Sequence, residues 1–454
     1  MENLSTGLLQ ACQSQQRPSR GSDGRCIGDL VGWSGHLRRR SGRTPPNRRF
    51  RELASTPSRA HGDRIDVDFI RAGHSAGPGL CDVVEQSVSH GGNVYHAARL
   101  LSRDPSDLCD FSASINPLGV PLAARRLLQT AIGKVQHYPD PQGLALVQAI
   151  AERHGVSPEN VVLGNGTVEL IYALPAAFNI RHGLIVGPVF SEYERVLTLA
   201  NARVTHVLAR SKDDYRQPVR EVLEKVERPS SGWSKRRLPI EAVFVCNPNS
   251  PTGRSVSRNG VYRLLEAVKR RNGYLIVDET FVEFCEEKSV IRRAACDDSL
   301  LVLRSFTKFY GIPGLRIGYI VGTEKSLWRL RNRLPPWSVN TLAQEAALAC
   351  LRDYRYKERT LLFIQKERPV FRRALEGIPG VRVYPSSANF FLVELPEPLT
   401  SHQVQIVLMK RGYLVRDCSN YPGLHERMLR FAVRTSRENA RLVKQLQHVV
   451  QAQP

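Results

Sequence analysis

The sequence predicts an α/β protein whose larger domain is built on a mostly parallel sheet covered by helices, with a smaller α+β domain beside it. Short apolar, β-branched segments recur along the middle of the chain. Amphipathic helical segments such as VREVLEKVE and GVYRLLEAVKRRNG separate them. Alternation of strand and helix at this spacing is typical of parallel sheets with both faces covered. The predicted strands are VVLGN, GLIVGPV, EAVFVCNP, GYLIVDE and LLVLRSF.

The C-terminal third shows a different pattern. PGVRVYPSSANFFLVEL and MLRFAVRT alternate more between apolar and polar residues, and they lie among the predicted helices YRYKERTLLFIQKERPVFRRALEG and SRENARLVKQLQHVVQ. This arrangement favours the smaller α+β domain. We predict that residues 86–130 form the N-terminal part of the small domain, 131–340 the large domain, and 341–454 the C-terminal part of the small domain.

Residues 1–85 are dominated by Gly, Ser, Pro and Arg, and no helical or strand period persists in them. Such a segment cannot bury enough apolar surface to offset its ordering entropy, so we predict a disordered basic extension. An organellar transit peptide and a wrongly assigned start site are the alternatives.

The composition narrows the class of function. The 454 residues carry a formal net charge of +22, mostly from Arg spread along the whole chain. Because no basic stripe with interleaved aromatic residues exists, attraction of anionic small molecules explains this charge better than nucleic-acid binding. No apolar run approaches the roughly 18 residues of a membrane helix. The nine cysteines form no C-x-x-C pair, which argues for a reducing compartment and against structural zinc. We expect a cytoplasmic protein without metal, membrane or nucleic-acid partner.

Four loops are candidates for function, and the first three offer, in chain order, an anion cradle, a pair of Asn residues and an acid. Each follows a predicted strand, and ligands of open α/β sheets bind at strand carboxyl ends. Gly164–Thr167 opens a helix and resembles an anion cradle, although a plain turn explains it as well. Asn247 and Asn249 can reach a ligand or simply stabilise their turn. Asp278 ends an apolar strand and needs a structural arginine or a cationic ligand nitrogen, but Glu279 is equally available.

The fourth loop, RSFTKFYGIPGLRIGY, places Lys308 among Ser305, Thr307 and Arg316. Burial and nearby cations lower the pKa of a lysine towards the neutral amine that a Schiff base requires. Arg316 would be such a cation and would also bind a phosphate through two N–H donors. A surface lysine is the usual alternative for one residue, but the order of the four loops together favours a functional site.

With these motifs in this order, residues from about 88 to 450 resemble the fold-type I enzymes dependent on pyridoxal 5′-phosphate (PLP), the aspartate aminotransferase superfamily. The resemblance implies that fold, PLP as cofactor, and Lys308 as the catalytic residue that forms the Schiff base. It implies that Asp278 pairs with the pyridine nitrogen. Tyr138 in HYPDP resembles a tyrosine that reaches the phosphate from the neighbouring subunit, which implies a two-fold homodimer with shared sites. The other implied cofactor-binding residues are Gly166, Thr167, Phe190, Asn249, Ser250, Ser305, Thr307 and Arg316.

Within that superfamily, three strings resemble the threonine-phosphate decarboxylases of cobalamin biosynthesis. They are HGGNVYHAARLL, DFSASINPLG and VRDCSNYPGLHERMLRFAVRT. This resemblance implies decarboxylation of L-threonine O-3-phosphate to (R)-1-amino-2-propanol O-2-phosphate in adenosylcobalamin biosynthesis. A phosphorylated amino acid brings two anionic groups, and both need cationic or N–H partners. The implied substrate-binding residues are His90, Gly91, Ser114, Arg416 and Arg430.

Two other functions stay open. A histidinol-phosphate aminotransferase, or a related PLP-dependent aminotransferase, also handles a phosphorylated amino compound. A transcription regulator with an aminotransferase-like domain would need a helix-turn-helix pattern, which residues 1–85 do not show. Serine phosphate is an alternative substrate because it differs from threonine phosphate by one methyl group.

Three residues depart from the patterns that the resemblance implies. Ser250 stands where the superfamily usually has the second Asn of NNPTG, a partner of the cofactor ring hydroxyl. Phe281 occupies a position where many aminotransferases have a Tyr for the same oxygen. Ser114 stands where the decarboxylases usually show Asn in SANINPLG.

Overall fold

The computed structural model describes residues 90–227 and 239–452, and these described residues belong to one compact unit. The predicted disordered extension at 1–85 lies outside the described residues. The α-helices are α1 Val94–Leu101, α2 Leu122–Ala131, α3 Leu144–His154, α4 Gly166–Phe178, α5 Glu192–Leu199, α6 Val219–Glu227, α7 Arg258–Lys269, α8 Ile291–Ala294, α9 Glu324–Arg331, α10 Thr341–Arg352, α11 Tyr354–Glu376, α12 Ser401–Lys410 and α13 Ser436–Gln451.

A seven-stranded sheet in the order β2-β8-β7-β6-β5-β3-β4 forms the centre of the molecule. Only β8 runs antiparallel to its neighbours β2 and β7, so the prediction of a mostly parallel sheet is confirmed. The strands are β2 Val161–Gly164, β3 His182–Gly187, β4 Arg203–Leu208, β5 Ala242–Cys246, β6 Tyr274–Asp278, β7 Leu300–Ser305 and β8 Gly318–Val321.

Both faces of this sheet are covered, which explains why its strands are continuous apolar runs rather than alternating ones. In β7, Leu300 and Val302 pack into one apolar cluster, together with helices α3, α7 and α10. Their neighbours Leu301 and Leu303 point the other way and pack with helices α4, α5 and α9. All four side chains are buried, so the sheet forms a rigid platform between two helical layers.

A four-stranded antiparallel sheet in the order β12-β13-β10-β9 follows in the C-terminal part, as the alternating pattern predicted. Helices α11 and α13 enclose a separate apolar core with it, in which Phe371, Phe391 and Leu446 are buried. The remaining strands are β1 Cys109–Asp110, β9 Arg382–Val383, β10 Phe390–Glu394, β11 Tyr413–Leu414, β12 Arg416–Asp417 and β13 Met428–Ala432.

The segment around α10 joins the regions on either side of the proposed boundary at residue 340. Ala124 of α2 and Ala347 of α10 both pack into the cluster on the face of the large sheet. Both residues lie in ranges that we predicted to belong to the small domain. The boundaries at 130 and 340 therefore stay a proposal.

Helix α13 begins where its sequence predicts. Thr435 accepts from the backbone N–H of Glu438, and the Glu438 carboxylate accepts from that of Thr435, a reciprocal capping box.

Among the helices of the described residues, none combines the length and the apolar character needed to cross a membrane. Within the same residues, no group of three or more His, Cys, Asp or Glu side chains is arranged to hold a metal ion.

Candidate active site

A cavity of about 460 Å³ opens at the carboxyl edge of the large sheet. Cys246, Asp278 and Ser305 end the neighbouring strands β5, β6 and β7, and all three line this cavity. Because the strands are parallel and in register, three loops distant in sequence converge at one place. We call this space the lysine cavity, since Lys308 also lines it.

Asp278 is a buried carboxylate at the wall of the lysine cavity. It accepts a hydrogen bond from the Tyr193 hydroxyl at 2.6 Å and one from the Thr280 backbone N–H at 2.9 Å. No ion pair among the described residues involves it. Burial raises the pKa of Asp278, and the bonds from Thr280 and Tyr193 oppose that rise. A cationic ligand nitrogen would remove the remaining cost of this buried charge.

The neighbouring acid, Glu279, is already satisfied. Its carboxylate accepts from Arg304 Nε at 2.9 Å and from the Ser289 hydroxyl at 2.6 Å. Arg304 also pairs with Glu283 at 3.1 Å, and all three charged side chains are buried. The sequence left Asp278 and Glu279 equivalent, and this network leaves Asp278 as the acid available to a ligand.

Lys308 presents its amine to the same cavity, where Nζ donates to the Ala113 carbonyl at 2.9 Å. Burial lowers the pKa of Lys308 to about 8, and the positive charges of Arg430 and Arg316 contribute to that decrease. An appreciable neutral fraction therefore exists near neutral pH, which is the state that a nucleophilic amine needs. From the sequence we expected Arg316 to be the cation that lowers this pKa, and Arg430 lowers it more.

An anion cradle lies where helix α4 begins. Gly166 adopts a φ of +74°, and a Cβ there would lie 2.6 Å from Arg316 Nη2, so only glycine permits this approach. The Ser305 and Thr307 hydroxyls are 2.8 Å apart and line the cavity with Thr167. The Arg316 guanidinium, these three hydroxyls and the N-terminus of helix α4 together suit a phosphate group.

Part of the lysine cavity wall is aromatic. The Phe190 ring lies 5.3 Å from the His90 ring and packs edge-on against Tyr193 at 5.8 Å. His90 Nε2 is 2.9 Å from Glu192 Oε1, a buried carboxylate. Such a wall can hold a flat heteroaromatic ring by stacking.

Arg430 brings a nearly buried guanidinium to the cavity from the four-stranded sheet. Its Nη1 donates to the Ser250 hydroxyl at 2.8 Å, and its Nη2 donates to the Ser112 carbonyl. The guanidinium lies over the Phe390 ring at 5.2 Å. Its Nε has no hydrogen-bond partner among the described residues. An anionic group of a ligand would satisfy that donor.

Comparison with known proteins identifies the family. Residues 106–446 match Aminotransferase class I and II. The chain belongs to this family. It is 35% identical to the threonine-phosphate decarboxylase of Salmonella typhimurium over 364 residues, covering 80% of this chain and 96% of that protein. It is 33% identical to the histidinol-phosphate aminotransferase of Thermoanaerobacter pseudethanolicus over 343 residues, covering 74% and 92%.

A solved structure supports the same conclusion. The crystal structure of L-threonine-O-3-phosphate decarboxylase from Porphyromonas gingivalis has a TM-score of 0.65 and 28% identity, and covers 75% of this chain and 99% of that one. The fold-type I architecture predicted from the sequence is confirmed, and this aminotransferase-family chain is a PLP-dependent enzyme.

The residues of the lysine cavity fit PLP. Asp278, a buried acid with no cationic partner in the described part of the chain, suits a protonated pyridine nitrogen. The glycine-opened cradle suits a phosphate, and Lys308 supplies a partly neutral amine. When bound, PLP supplies an electron sink for negative charge at the substrate Cα. Asp278, Phe190, Lys308 and the cradle would hold it.

Not every residue expected at the site lines this cavity. The residues that do are His90, Gly91, Thr167, Phe190, Ser250, Asp278, Ser305, Thr307, Lys308, Arg316 and Arg430. Asn249 is buried in its own loop, where Oδ1 accepts from the Thr252 N–H and hydroxyl. Ser114 is fully buried, and its carbonyl accepts from Asn389 Nδ2. Arg416 lines two smaller cavities, one shared with Phe190 and Tyr421 and one with His90. Tyr138 is 80% exposed.

Sequence reasoning missed Tyr193, Glu192 and Cys246. Tyr193 lies three residues after Phe190 in GPVFSEY, and helix α5 begins at Glu192. Residues three apart share one face of a helical turn, so the spacing could have placed Tyr193 beside Phe190. Its partner Asp278 is 85 residues away, and no local pattern indicates that contact.

Replacing Tyr193 by phenylalanine should weaken PLP binding and turnover about tenfold each, because a hydrogen bond to a charged group contributes about 1.5–3 kcal/mol. Calorimetric titration of cofactor-free protein with PLP measures the first effect. Tyr384→Phe is the matched control, since the buried Tyr384 donates to Glu394 at 2.6 Å outside the cavity. If both variants change PLP affinity equally, Tyr193 does not position Asp278.

Acetic anhydride should label Lys308 of cofactor-free protein with a pH midpoint of about 8. Only the neutral amine reacts, and removing a nearby cation favours the charged form. Arg430→Gln should therefore shift the midpoint upward. Mass spectrometry of the Lys308 peptide across pH 6–11 measures both, and a wild-type midpoint above about 10, the ordinary range for lysine, would contradict the assignment.

Proposed function

We propose that this chain is a PLP-dependent decarboxylase that converts L-threonine O-3-phosphate into (R)-1-amino-2-propanol O-2-phosphate and CO₂, a step of adenosylcobalamin biosynthesis. The observation that carries the proposal is the 35% identity across 96% of the Salmonella enzyme. The strings HGGNVYHAARLL and DFSASINPLG, at the start of the described residues, support it from the sequence.

The charged residues around the lysine cavity suit a substrate with two anionic groups. Arg430 is only 7% exposed, and its Nε donor has no partner among the described residues, so we assign the substrate carboxylate to it. Arg416 is buried beside Tyr421, whose ring it faces at 5.2 Å. Because Tyr421 also lines the lysine cavity, a substrate that extends past it would bring its phosphate towards Arg416.

The choice of reaction follows from how the carboxylate is oriented. PLP would stabilise negative charge at Cα whichever bond breaks there, so the residue that fixes the carboxylate would select decarboxylation over proton removal. We assign that positioning to Arg430. After CO₂ leaves, Cα needs a proton, and the Lys308 ammonium donates it. Water then restores the proton to Lys308.

The direct test incubates purified holoenzyme with L-threonine O-3-phosphate labelled at the carboxyl carbon. We expect stoichiometric labelled CO₂ and (R)-1-amino-2-propanol O-2-phosphate, identified by mass spectrometry and chiral separation. L-Serine O-phosphate tests the role of the methyl group, which changes the specificity ratio by about 10–200-fold when a pocket recognises it. Absence of CO₂ from both substrates would overturn the proposal.

Histidinol-phosphate aminotransferase is the second candidate, favoured by the relative that is 33% identical over 74% of the chain. Its signature is amino transfer from histidinol phosphate to 2-oxoglutarate without CO₂. The same holoenzyme preparation can be assayed for both activities, and the ratio of the two kcat/KM values decides between them.

We also propose a two-fold homodimer in which Tyr138 reaches the partner's cofactor phosphate. Tyr138 stacks on Trp337 with ring centroids 4.8 Å apart, and both rings are exposed. Ile132, Val135 and Leu144 add exposed apolar surface in the same stretch. Exposed apolar patches of this kind mark interfaces. Light scattering of the holoenzyme should give about twice the 51.0 kDa chain mass; a monomer with full activity would exclude the shared site.

A further inference from the structure

A second cavity, of about 360 Å³, is lined by arginines and shares no lining residue with the lysine cavity. It lies between the end of α3, the start of α7 and the segment that leads into α8. We call it the arginine cavity, and it is lined by Arg153, Arg258, Arg292, Arg293 and Arg304. Its volume lies within the range of about 300–1,000 Å³ that is usual for small-molecule sites.

Two of these arginines are neutralised by neighbouring acids. Arg304, at the buried side, pairs with Glu279 and Glu283, and Arg293 pairs with Asp297 at 3.0 Å. The only carboxylate that lines the cavity among the described residues is Glu286, which is bonded to Lys357 and lies 4.0 Å from Arg304. The local acids are therefore already engaged.

The other three guanidiniums, of Arg153, Arg258 and Arg292, form no ion pair with any carboxylate of residues 90–227 and 239–452 within 4.0 Å. Arg258 Nε donates to the Ser289 carbonyl at 2.9 Å, and Arg292 Nε donates to the His154 carbonyl at 3.0 Å. These bonds hold both side chains at the cavity without neutralising them. Arg153 interacts electrostatically with Glu286 and Glu283, so the uncompensated charges are those of Arg258 and Arg292. Two such charges beside one concave space attract an anion.

Other groups at the cavity favour a ligand rather than an accidental cluster. Helix α7, of 12 residues, begins at Arg258 behind the cap Ser257, so the positive end of its dipole adds to the same field. Tyr262 lines the cavity one turn later with a ring that is 37% exposed. His154 also lines the cavity, but its Nε2 is already hydrogen-bonded to the Tyr319 hydroxyl at 2.8 Å.

We propose that the arginine cavity binds a diphosphate group. A guanidinium matches two phosphate oxygens at once, so Arg258 and Arg292 can each take one phosphate of a diphosphate, which suits the pair better than a single phosphate does. The shared chemistry can come from inorganic pyrophosphate or from the diphosphate end of a nucleotide, for which the exposed Tyr262 ring offers a stacking surface. This site is independent of the function proposed for the lysine cavity.

Calorimetric titration of the full-length holoenzyme at fixed ionic strength tests the proposal with pyrophosphate, ADP, orthophosphate and sulfate. We expect saturable binding of pyrophosphate or ADP at about one per chain, with orthophosphate and sulfate at least tenfold weaker. Equal affinity for pyrophosphate and ADP would identify the diphosphate as the whole determinant. Tighter ADP binding that Tyr262→Ala abolishes would identify a nucleotide, and both results support the site.

The decisive variants are Arg258→Gln combined with Arg292→Gln. Both side chains are exposed, and neither lines the lysine cavity. The pair should weaken pyrophosphate binding at least tenfold while kcat on the substrate stays unchanged. Arg258→Lys with Arg292→Lys should keep most of the affinity. Arg372→Gln, at a partly exposed arginine that pairs with Glu376 on α11, should keep all of it.

Two results would overturn the site. One is the absence of saturable heat with pyrophosphate and ADP up to about 10 mM, which lies beyond the affinity of weak specific sites. The other is pyrophosphate binding that the Arg258 and Arg292 variants leave unchanged, since that binding would belong to the phosphate-binding residues of the lysine cavity.

Discussion

Lys308→Ala should reduce turnover by at least about 10²–10⁴-fold, the contribution of a positioned proton-transfer group. The loss should be larger still, because the same amine attaches the cofactor. Purified wild-type protein should show the absorbance band of PLP joined to a lysine, and the variant should lack that band. Steady-state kinetics and an absorbance spectrum of the same preparation measure the two effects.

The control for this variant is a lysine outside the lysine cavity. Lys212 is exposed in the turn before α6, and Lys212→Ala should keep both the absorbance and the kcat of wild type. Circular dichroism should show that Lys308→Ala is folded, since the hydrogen bond that the variant loses is the one from the Lys308 amine to the Ala113 carbonyl. Full activity in a folded Lys308→Ala protein would remove this residue from the mechanism.

Asp278→Asn should be the second most damaging single change, with kcat lower by roughly 10²–10³-fold, as for the loss of one preorganised electrostatic partner. An amide keeps the shape of the side chain and can still accept from Tyr193 and Thr280. It cannot carry the negative charge that holds a ring nitrogen protonated. The expected decrease therefore reports on charge and not on packing.

Asp297→Asn is the matched control for that experiment. Asp297 is also only 5% exposed, but it pairs with Lys269 and Arg293 outside the lysine cavity. We expect Asp297→Asn to lower the melting temperature without a comparable effect on kcat. A threefold change in kcat is less than one hydrogen bond to a charged group contributes. If Asp278→Asn keeps kcat within about threefold of wild type, Asp278 does not tune the cofactor.

The strands and the long helices could be predicted because their signals are local. Continuous apolar runs such as GYLIVDE indicated strands buried on both faces, and Tyr274–Asp278 forms one of them. Helix α13 occupies SRENARLVKQLQHVVQ from its capping box to its end. Their order could be inferred less well, since β8 enters antiparallel between β2 and β7, which depends on pairing between distant segments.

The candidate site could be predicted where a residue ends a strand or opens a helix. Lys308, Asp278, Ser305 and Thr167 lie around one cavity for that reason. The choice between Asp278 and Glu279 could not be made from sequence, because it depends on Arg304, 25 residues after Glu279. In the same way, the contact between Ser114 and Asn389 joins residues 275 apart.

Ser250 shows how a departure from the family pattern is accommodated. A serine is shorter than the usual asparagine, and its hydroxyl accepts from Arg430 Nη1 at 2.8 Å. Phe281 packs edge-on against Phe390 at 5.0 Å, and Phe390 in turn lies beneath Arg430. Ser250 therefore contacts the arginine that we assign to the substrate carboxylate, and Phe281 supports it through Phe390.

The attachment point of the cofactor is the claim on which the other assignments rest. Reduction of the holoenzyme with sodium borohydride, followed by proteolysis and mass spectrometry, should place one pyridoxyl phosphate adduct on Lys308. Cofactor found on another lysine, or no covalent adduct in active enzyme, would contradict the account.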